Sequence, residues 1–330
     1  MDDPKRYILI NGFGWSGSSA LIDFMREFEG TFVPHKEFRL IKDPHGVRDL
    51  DLSITQSTDQ LNEDRAINEF IHFVKIYSRK NGGFRPLGLG YNDDFGENFY
   101  SISKKYIESL TDYVYSGYWW YLDYDMSYAK YIALKTFNRL RLYDYKEHRK
   151  MRLTIKEEED FLKITKEYIN AIFEDCLKGK QYHTVVLDQA IPANRASWAK
   201  RYFDNAKVIV VDRDPRDVYI DLIKEKSLVG YDVAVHHDVQ LFIDWFKKVR
   251  RPDPVFADYK RIQFEELILN YNQTIEEVYD YCEIDPVLHI HKGDKLKPEV
   301  SSKNIGMWKC YQYPEEIKKI EDQLKEYIVQ

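Results

Sequence analysis

Short apolar runs alternate with amphipathic segments at the start of the chain. Tyr7–Asn11 is an apolar run and predicts a buried strand. After a loop of glycine and serine, apolar residues recur at helical spacing: Ala20, Leu21, Phe24 and Met25. Gly30 is the residue type that ends such a helix. The order strand, glycine-rich loop, helix is therefore predicted here.

The same alternation returns after residue 183. The β-branched runs His183–Gln189 and Ala206–Asp214 predict strands, and Asn194–Tyr202 between them predicts a helix. Pro215–Lys226 predicts a helix with proline in its first turn, where a missing N–H is tolerated. Further elements are predicted downstream: a strand at Tyr259–Phe264 and helices at Glu265–Tyr281 and Pro314–Ile328. Strands that alternate with helices predict an α/β fold with a doubly wound parallel sheet flanked by helices.

The middle of the chain has a different pattern, mostly helical and rich in Tyr and Lys. Helices are predicted at Glu63–Arg79, Ser101–Asp112 and Ile155–Leu177, with turns near Asn81 and Asn92. We therefore predict a single domain over residues 1–330. Its core is residues 5–50 and 183–330, and a large helical insertion spans about 51–182.

Composition and charge narrow the classes of partner. The 330 residues are 44% apolar, and the net charge of −6 provides no overall attraction to nucleic acid, so no nucleic-acid partner is expected. Cys176, Cys282 and Cys310 are far apart and share no metal-ligand spacing, which favours reduced thiols in the cytoplasm and no bound metal. No apolar stretch suggests a signal peptide or a transmembrane segment. The oligomeric state is not indicated.

The loop between the first strand and helix is the strongest local motif. Residues 12–19 read Gly-Phe-Gly-Trp-Ser-Gly-Ser-Ser, the phosphate-loop pattern with Ser18 in place of lysine. Backbone N–H groups in such a turn form an anion nest at a helix N-terminus, and Ser18 and Ser19 can add hydroxyls and cap the helix. A tight strand-to-helix turn uses the same residue types. The residues predicted to bind phosphate are Gly12, Gly14, Trp15, Ser16, Gly17, Ser18 and Ser19.

A second motif, Val210–Tyr219, reads Val-Val-Asp-Arg-Asp-Pro-Arg-Asp-Val-Tyr at a strand–helix junction. With the loop it resembles the PAPS-dependent sulfotransferase family, closer to its glycan and bacterial members, whose fold is of the P-loop type. The resemblance implies 3′-phosphoadenosine 5′-phosphosulfate (PAPS) as donor and no required metal. It also implies that the loop grips the 5′-phosphosulfate and that Arg213 binds the 3′-phosphate.

Three further segments are similar to the same family. Val186–Pro192 resembles a D-K-x-P strand end that borders the active site, with Gln189 in place of the lysine. Gln263–Tyr271 resembles a segment that follows the nucleotide-binding core. Ser301–Lys309 resembles a C-terminal loop that covers the nucleotide, which implies nucleotide contacts from Ser302, Lys303 and Asn304. The resemblance covers roughly residues 5–50 and 183–330.

Two positions depart from the family pattern. Trp15 stands where the loop usually has a basic residue that stabilises charge on the departing oxygen, and Asp221 replaces a serine of the 3′-phosphate site. Asp221 would repel a phosphate if it pointed inward. The lost cation can be replaced from other segments, although each candidate alone also suits a solvated surface: Lys36, Arg39, Lys42, Lys135 and Arg139.

Transfer of a sulfuryl group to a hydroxyl requires a base for the acceptor's proton. The resemblance implies a Glu or a His shortly after the first helix, and Pro34–Arg39 offers both. We predict Glu37 as the base, with His35 next and His45 third. A solvated charged loop is the alternative for this segment.

The sequence thus predicts an enzyme, a sulfotransferase that uses PAPS to sulfate a hydroxyl of an acceptor. The aromatic segment Tyr118–Tyr121 suits stacking on sugar rings and favours a saccharide, although core packing explains it equally well. One alternative is a P-loop kinase or nucleotidase, which the absent loop lysine opposes. Another is a catalytically lapsed nucleotide-binding scaffold, which Trp15 and Asp221 favour.

Overall fold

The computed structural model describes residues 6–57, 59–80, 87–251 and 258–329. Its strands are Arg6–Gly12 (β1), Thr31–Phe32 (β2), Tyr113–Ser116 (β3), Lys150–Leu153 (β4), Thr184–Asp188 (β5), Ala206–Asp212 (β6) and Lys260–Gln263 (β7). Its α-helices are Ser18–Met25 (α1), Val47–Asp51 (α2), Gln60–Ser78 (α3), Tyr91–Phe95 (α4), Phe99–Leu110 (α5), Tyr121–Asp125 (α6), Tyr128–Arg139 (α7), Tyr145–His148 (α8), Glu158–Cys176 (α9), Ala196–Ala199 (α10), Pro215–Glu225 (α11), Gly230–His236 (α12), Val239–Val249 (α13), Phe264–Leu269 (α14), Tyr271–Cys282 (α15), Pro298–Ser301 (α16) and Pro314–Gln323 (α17).

The described chain divides into two compact units. The sheet unit contains the residues up to Lys42 and from Gly179 onward, and the helical unit is Asp43–Lys178. These boundaries lie close to those predicted for the core and the insertion. That the two units act as a single domain stays a prediction.

The sheet unit is built on five parallel strands in the order β2-β5-β1-β6-β7. In register, Ile8 of β1 lies opposite Val186 of β5 on one side and Lys207 of β6 on the other. Strands β1, β5 and β6 are apolar and almost wholly buried, as expected of parallel strands covered by helices. The predicted α/β fold with a parallel sheet is confirmed. Because β1 is parallel to both β5 and β6, the carboxyl ends of these three strands meet at one edge of the sheet.

Helices α1, α14 and α15 pack on the sheet through a continuous apolar core. A fully buried carboxylate, Glu27, stands within it and accepts a hydrogen bond of 2.7 Å from His289 Nε2. Its other oxygen accepts the backbone N–H groups of Lys295 and Leu296, both at 2.9 Å. The stretch from His289 to Leu296 is thereby tied to the end of α1.

Helices α11, α12, α13 and α17 form a second apolar cluster in the same unit, around Tyr219, Phe242 and Ile320. Tyr219 and Phe242 contact each other edge to face at 5.0 Å between ring centroids. This cluster fixes the helix that follows β6, and with it the segment that carries Arg213.

Helices α3, α5 and α9 form the core of the helical unit, where Tyr106 and Tyr168 stack at 4.2 Å. The sequence analysis predicted a mostly helical insertion and did not predict its small antiparallel sheet, which is formed by β3 and β4. The turn predicted near Asn92 lies slightly later, at Glu97 and Asn98, because α4 begins at Tyr91 and buries both Tyr91 and Phe95. The turn predicted near Asn81 lies outside the described residues.

Two predicted helices of the sheet unit are interrupted. Asn194–Tyr202 consists of short 3₁₀ turns on either side of α10, and Glu265–Tyr281 is divided into α14 and α15 at Asn270. Across the described ranges, none of the helices combines the length and apolarity that crossing a membrane requires. The predicted cytoplasmic location stays a prediction.

Candidate functional site

The loop after β1 has the backbone of an anion nest. Gly14, Trp15 and Gly17 have positive φ angles of 88°, 52° and 79°, and α1 begins immediately afterwards at Ser18. A Cβ on Gly17 would lie 2.4 Å from a ring carbon of Phe264, so the loop approaches its neighbour too closely for a side chain. Such a loop directs backbone N–H groups toward one point at the positive end of the helix.

The serines of the loop have different environments. The Ser16 hydroxyl is buried and has no hydrogen-bond partner within the described residues. The Ser18 hydroxyl accepts a 3.1 Å hydrogen bond from Gln189 Nε2, and Ser19 is exposed on the first turn of α1. Gly17 is the N-cap residue and no side chain caps the helix, so the predicted capping by serine is wrong. The Ser16 hydroxyl is thus the donor that a bound anion could use.

Trp15 contributes to the site through its backbone. Its ring meets Trp245 edge to face at 6.0 Å and packs against the apolar cluster of α11 and α13. Its carbonyl oxygen accepts a 2.9 Å hydrogen bond from Nη1 of Arg213. The side chain that replaces the usual basic residue is therefore part of the packing.

Arg213 joins three segments at the carboxyl end of β6, and its side chain is only 4% exposed. Nη1 donates to the Trp15 carbonyl and, at 2.7 Å, to Oδ2 of Asp221. Nη2 donates to the backbone carbonyl of Asn304 at 2.5 Å. The structure thus brings together Arg213, Trp15, Asp221 and Asn304, and Asp221 faces the arginine directly.

Asp214 and Asp217 of the second motif hold the start of α11 and the C-terminal loop. Asp214 caps α11 and accepts two hydrogen bonds from the Arg216 guanidinium, at 2.9 and 2.7 Å. The carboxylate of Asp217, whose pKa is raised by burial, accepts the N–H groups of Gly306 at 2.7 Å and Trp308 at 3.3 Å. These contacts fix the Ser301–Lys309 loop beside Arg213.

Of the three residues predicted in that loop, Asn304 contacts Arg213, and it does so through its carbonyl. The Ser302 hydroxyl donates to the Glu299 carbonyl at 3.0 Å, and the Lys303 side chain is exposed.

The end of β5 brings a lysine toward the phosphate loop. Gln189 has a positive φ of 55°, and its amide nitrogen donates to the Ser18 hydroxyl. Its amide oxygen accepts a hydrogen bond from Nζ of Lys42. A chain of contacts therefore runs from Lys42 through Gln189 to the first residue of α1. The resemblance had suggested a lysine at position 189, and here the lysine comes from another segment.

Asp188, at the carboxyl end of β5, is a titratable group that the sequence analysis did not single out. Burial raises its pKa to about 7, with the negative charge of Glu37 as the second cause, while Lys42, Arg26 and Arg39 act in the opposite direction. Its Oδ1 atom is buried without a hydrogen-bond partner in the part of the chain described. The sequence feature that could have indicated Asp188 is its position at the end of a predicted strand, next to Gln189.

The candidate bases lie in different places. The Glu37 carboxylate is 44% exposed, accepts a 2.8 Å hydrogen bond from Arg39 Nη1, and is near enough to Asp188 to affect its pKa. The His35 side chain is exposed on the same segment. His45 belongs to the helical unit, where its Nδ1 lies 3.1 Å from Glu69.

Arg250 is a second buried cation near the loop, which the sequence did not reveal. Its guanidinium donates to Asp212 at 2.9 Å and lies 4.5 Å from the ring centroid of Phe13. Burial lowers its pKa, and its Nη1 atom has no hydrogen-bond partner among the residues described. Because Arg250 is far from both partners in sequence, no local pattern could indicate this contact.

Two candidate cations and the aromatic segment belong to the helical unit. Lys135 Nζ lies 3.3 Å from Asp123, and Arg139 is exposed in the last turn of α7. Trp119 stacks on Tyr121 at 4.9 Å. Trp120 is 62% exposed and Tyr121 is 48% exposed, so these two rings lie at the surface.

Comparison with known proteins gives one family match and several similar solved structures. A family model described as "Sulfotransferase family" matches residues 118–287, more than half of the chain, including Arg213, Asp221 and strands β5 to β7. No curated protein sequence matches. Three solved structures are similar at low sequence identity. The sulfotransferase domain from the Synechococcus PCC 7002 olefin synthase is 12% identical, with 100% of this chain and 98% of that chain covered and a TM-score of 0.45. The sulfotransferase domain from the curacin biosynthetic pathway is 12% identical (coverage 98% and 99%, TM-score 0.39), and the sulfotransferase STF9 from Mycobacterium avium is 10% identical (coverage 99% and 77%, TM-score 0.40).

Proposed function

The chain belongs to the sulfotransferase family, and we propose that it transfers a sulfuryl group from PAPS to a hydroxyl of an acceptor. One observation carries the proposal more than any other. Arg213 Nη1 lies 2.9 Å from the carbonyl oxygen of Trp15, so the arginine of the second motif and the phosphate loop form one site. An anion nest and a cation side by side suit a ligand with two separate anionic groups.

The residues present fit such a donor on its 5′ side. The loop offers backbone N–H groups at the start of α1, and the buried Ser16 hydroxyl still has a hydrogen bond to donate. Ser18 and Ser19 begin the helix at the same place. On the 3′ side Arg213 is the cation of the site, paired with Asp221, and the loop of Ser302, Lys303 and Asn304, held by Asp217, lies next to it.

We propose Lys42 as the cation that replaces the basic residue lost at Trp15. Its contact with Gln189, which in turn contacts Ser18, brings its charge to the first turn of α1. The contact of Lys42 reaches the start of α1 through Gln189, which favours it over Arg39, whose contact is with Glu37 on its own segment. A positive charge aimed at the oxygen that leaves with the nucleotide stabilises the negative charge that develops there.

We propose Glu37 as the base that accepts the acceptor's proton. As the acceptor oxygen forms its bond to sulfur, the bond between sulfur and the 5′-phosphate oxygen breaks, and the proton moves to the Glu37 carboxylate. Arg39 Nη1 donates a 2.8 Å hydrogen bond to this carboxylate and orients it. His35, on the same segment, is the second choice.

A saccharide acceptor is part of the proposal. The exposed faces of Trp120 and Tyr121 are of the kind that stacks on sugar rings. A screen of hydroxyl compounds with sulfur-labelled PAPS tests this directly, with oligosaccharides, phenols, steroids and lipids compared at equal concentration. Transfer to phenols alone would contradict the saccharide assignment and leave the enzyme class intact.

Calorimetry tests the nucleotide part of the proposal. The protein is titrated with adenosine 3′,5′-bisphosphate and with ATP, each with and without Mg²⁺. The proposal expects metal-independent binding of the bisphosphate. Binding of ATP only with Mg²⁺ would instead identify a kinase or nucleotidase. Binding of the bisphosphate with no transfer to any acceptor would identify a lapsed scaffold.

A further inference from the structure

Asp221 contacts Arg213, the residue that the proposed function assigns to the 3′ position of the donor. Its Oδ2 atom lies 2.7 Å from Nη1 of Arg213, and the two side chains are 22% and 4% exposed. An ion pair this close and this shielded from water is screened far less than a surface pair. The positive charge of Arg213 is therefore largely offset within the protein itself.

The other contacts of Arg213 make its surroundings still more negative. Nη1 also donates to the Trp15 carbonyl, and Nη2 donates to the Asn304 carbonyl. The Asp217 carboxylate is close enough for the arginine charge to lower its pKa, although burial raises that pKa more. Of the guanidinium nitrogens, Nε is buried without a partner in the described ranges. One cation thus faces two carboxylates and two carbonyl oxygens.

This arrangement weakens the preference of the site for a ribose phosphate over a ribose hydroxyl. A phosphate monoester carries close to two negative charges at neutral pH and would meet the Asp221 carboxylate. A 3′-hydroxyl can instead donate a hydrogen bond to that carboxylate. Dinucleotide-binding folds distinguish the two cases in the same way, with an acidic residue for a ribose hydroxyl and an arginine for a ribose phosphate.

We propose that Asp221 sets the donor selectivity of this site. By neutralising Arg213, it lets the site accept an adenosine 5′-phosphosulfate that has an unmodified 3′-hydroxyl about as well as the 3′-phosphorylated donor. This inference rests on the proposed function, because it assumes that Arg213 faces the ribose of a nucleotide sulfate donor.

The test compares two ligands that differ only at the 3′ position, adenosine 3′,5′-bisphosphate and adenosine 5′-monophosphate. Calorimetry gives both dissociation constants for the wild type, Asp221→Ser and Asp221→Asn. In the wild type, the two constants should lie within about tenfold of each other. Either substitution should raise the preference for the bisphosphate by about tenfold or more, mainly through tighter bisphosphate binding.

Asp232→Asn is the matched control, because it removes the same charge from an exposed position of the sheet unit and should leave the ratio unchanged. Both ligands are titrated into the same protein, so partial unfolding of a variant reduces the number of sites without altering the ratio of the constants. Asp221→Asn preserves side-chain size if the serine variant is unstable.

The outcomes separate the two proposals. A wild type that binds both nucleotides, with a ratio unaffected by either substitution, overturns the selectivity role of Asp221 and leaves the donor site standing. A wild type that prefers the bisphosphate by more than about 100-fold overturns it as well. A wild type that binds neither nucleotide overturns the proposed function and this inference with it.

Discussion

Among single residues, Trp15 and Lys42 together explain how a lysine-free loop can keep the proposed chemistry. The Trp15 ring packs against Trp245, and its carbonyl accepts a hydrogen bond from Arg213. The Lys42 ammonium contacts Gln189, whose other end contacts the Ser18 hydroxyl. Because Lys42 comes from a segment outside the loop, the proposed replacement of the charge depends on the tertiary fold.

Replacement of Lys42 tests this assignment. Lys42→Gln should lower kcat by about 100-fold or more, as loss of a donor aimed at developing charge does elsewhere, and should change bisphosphate affinity much less. Steady-state kinetics and calorimetry on the same preparation measure the two effects. Lys292→Gln, which removes an exposed lysine of the same unit, is the control. Equal, small losses of kcat in both variants would exclude Lys42 as the cation.

Glu37 is tested by a substitution that preserves its shape. Glu37→Gln keeps a hydrogen-bonding side chain beside Arg39 but cannot accept a proton at neutral pH. We expect transfer to fall by about 100- to 10,000-fold, with bisphosphate binding retained. Glu29→Gln alters an exposed glutamate of the sheet unit and should leave turnover unchanged. Full activity of Glu37→Gln would assign the proton transfer to another group, with Asp188→Asn the next variant to measure.

At the scale of elements, the sequence predicted those whose signal is local. The apolar runs of β1, β5 and β6 are continuous because both faces are buried, and α11 is marked by Asp214 as cap and Pro215 in the first turn. Strands β3 and β4 were missed because their pairing joins distant segments such as Tyr115 and Met151. The break at Asn270 was missed because the apolar periodicity continues across it.

The same distinction applies to the site. The loop at residues 12–19 and Arg213 could be singled out from the sequence because each stands in a contiguous motif at a strand end. The environments of Asp188 and Arg250 were not, because they are created by segments far away in sequence, Glu37 for the first and Phe13 for the second. Prediction from sequence therefore reached the residues of the motifs but not the contacts between segments.

The phosphate loop as an element can be tested with two glycines that share a left-handed backbone. Gly17→Ala adds a methyl group that would lie 2.4 Å from Phe264, whereas a methyl group on Gly14 meets no atom within 4 Å. Both variants incur the backbone strain of a positive φ, of about 1 kcal/mol. We expect Gly17→Ala to lose bisphosphate binding and to lower the unfolding free energy by clearly more than Gly14→Ala. Indistinguishable urea unfolding and calorimetry for the two variants would contradict the close packing of this loop.

On the scale of the whole molecule, buried carboxylates make stability depend on pH. Burial is the largest cause that raises the pKa of Asp188 to about 7 and that of Glu265 to about 7. Both groups keep their proton in the folded protein at a pH where the unfolded chain has released it. Their contribution to stability is therefore complete below their ordinary pKa values and is lost as pH rises through 7.

The unfolding free energy of the wild type should consequently fall between about pH 5 and about pH 8, by about 2 kcal/mol for each of these groups. Asp188→Asn removes one titrating group and should flatten the pH dependence by that amount, because the amide is neutral in both the folded and the unfolded state. Urea unfolding at several pH values measures the slope, and Asp232→Asn, at an exposed site, should keep the slope of the wild type.

The lowered pKa values of Asp112 and Glu277 affect stability only below their ordinary range near pH 4, so they do not contribute in this window. A slope in Asp188→Asn equal to that of the wild type would show that Asp188 is already ionised in the folded protein, and the end of β5 would then carry a negative charge beside Glu37.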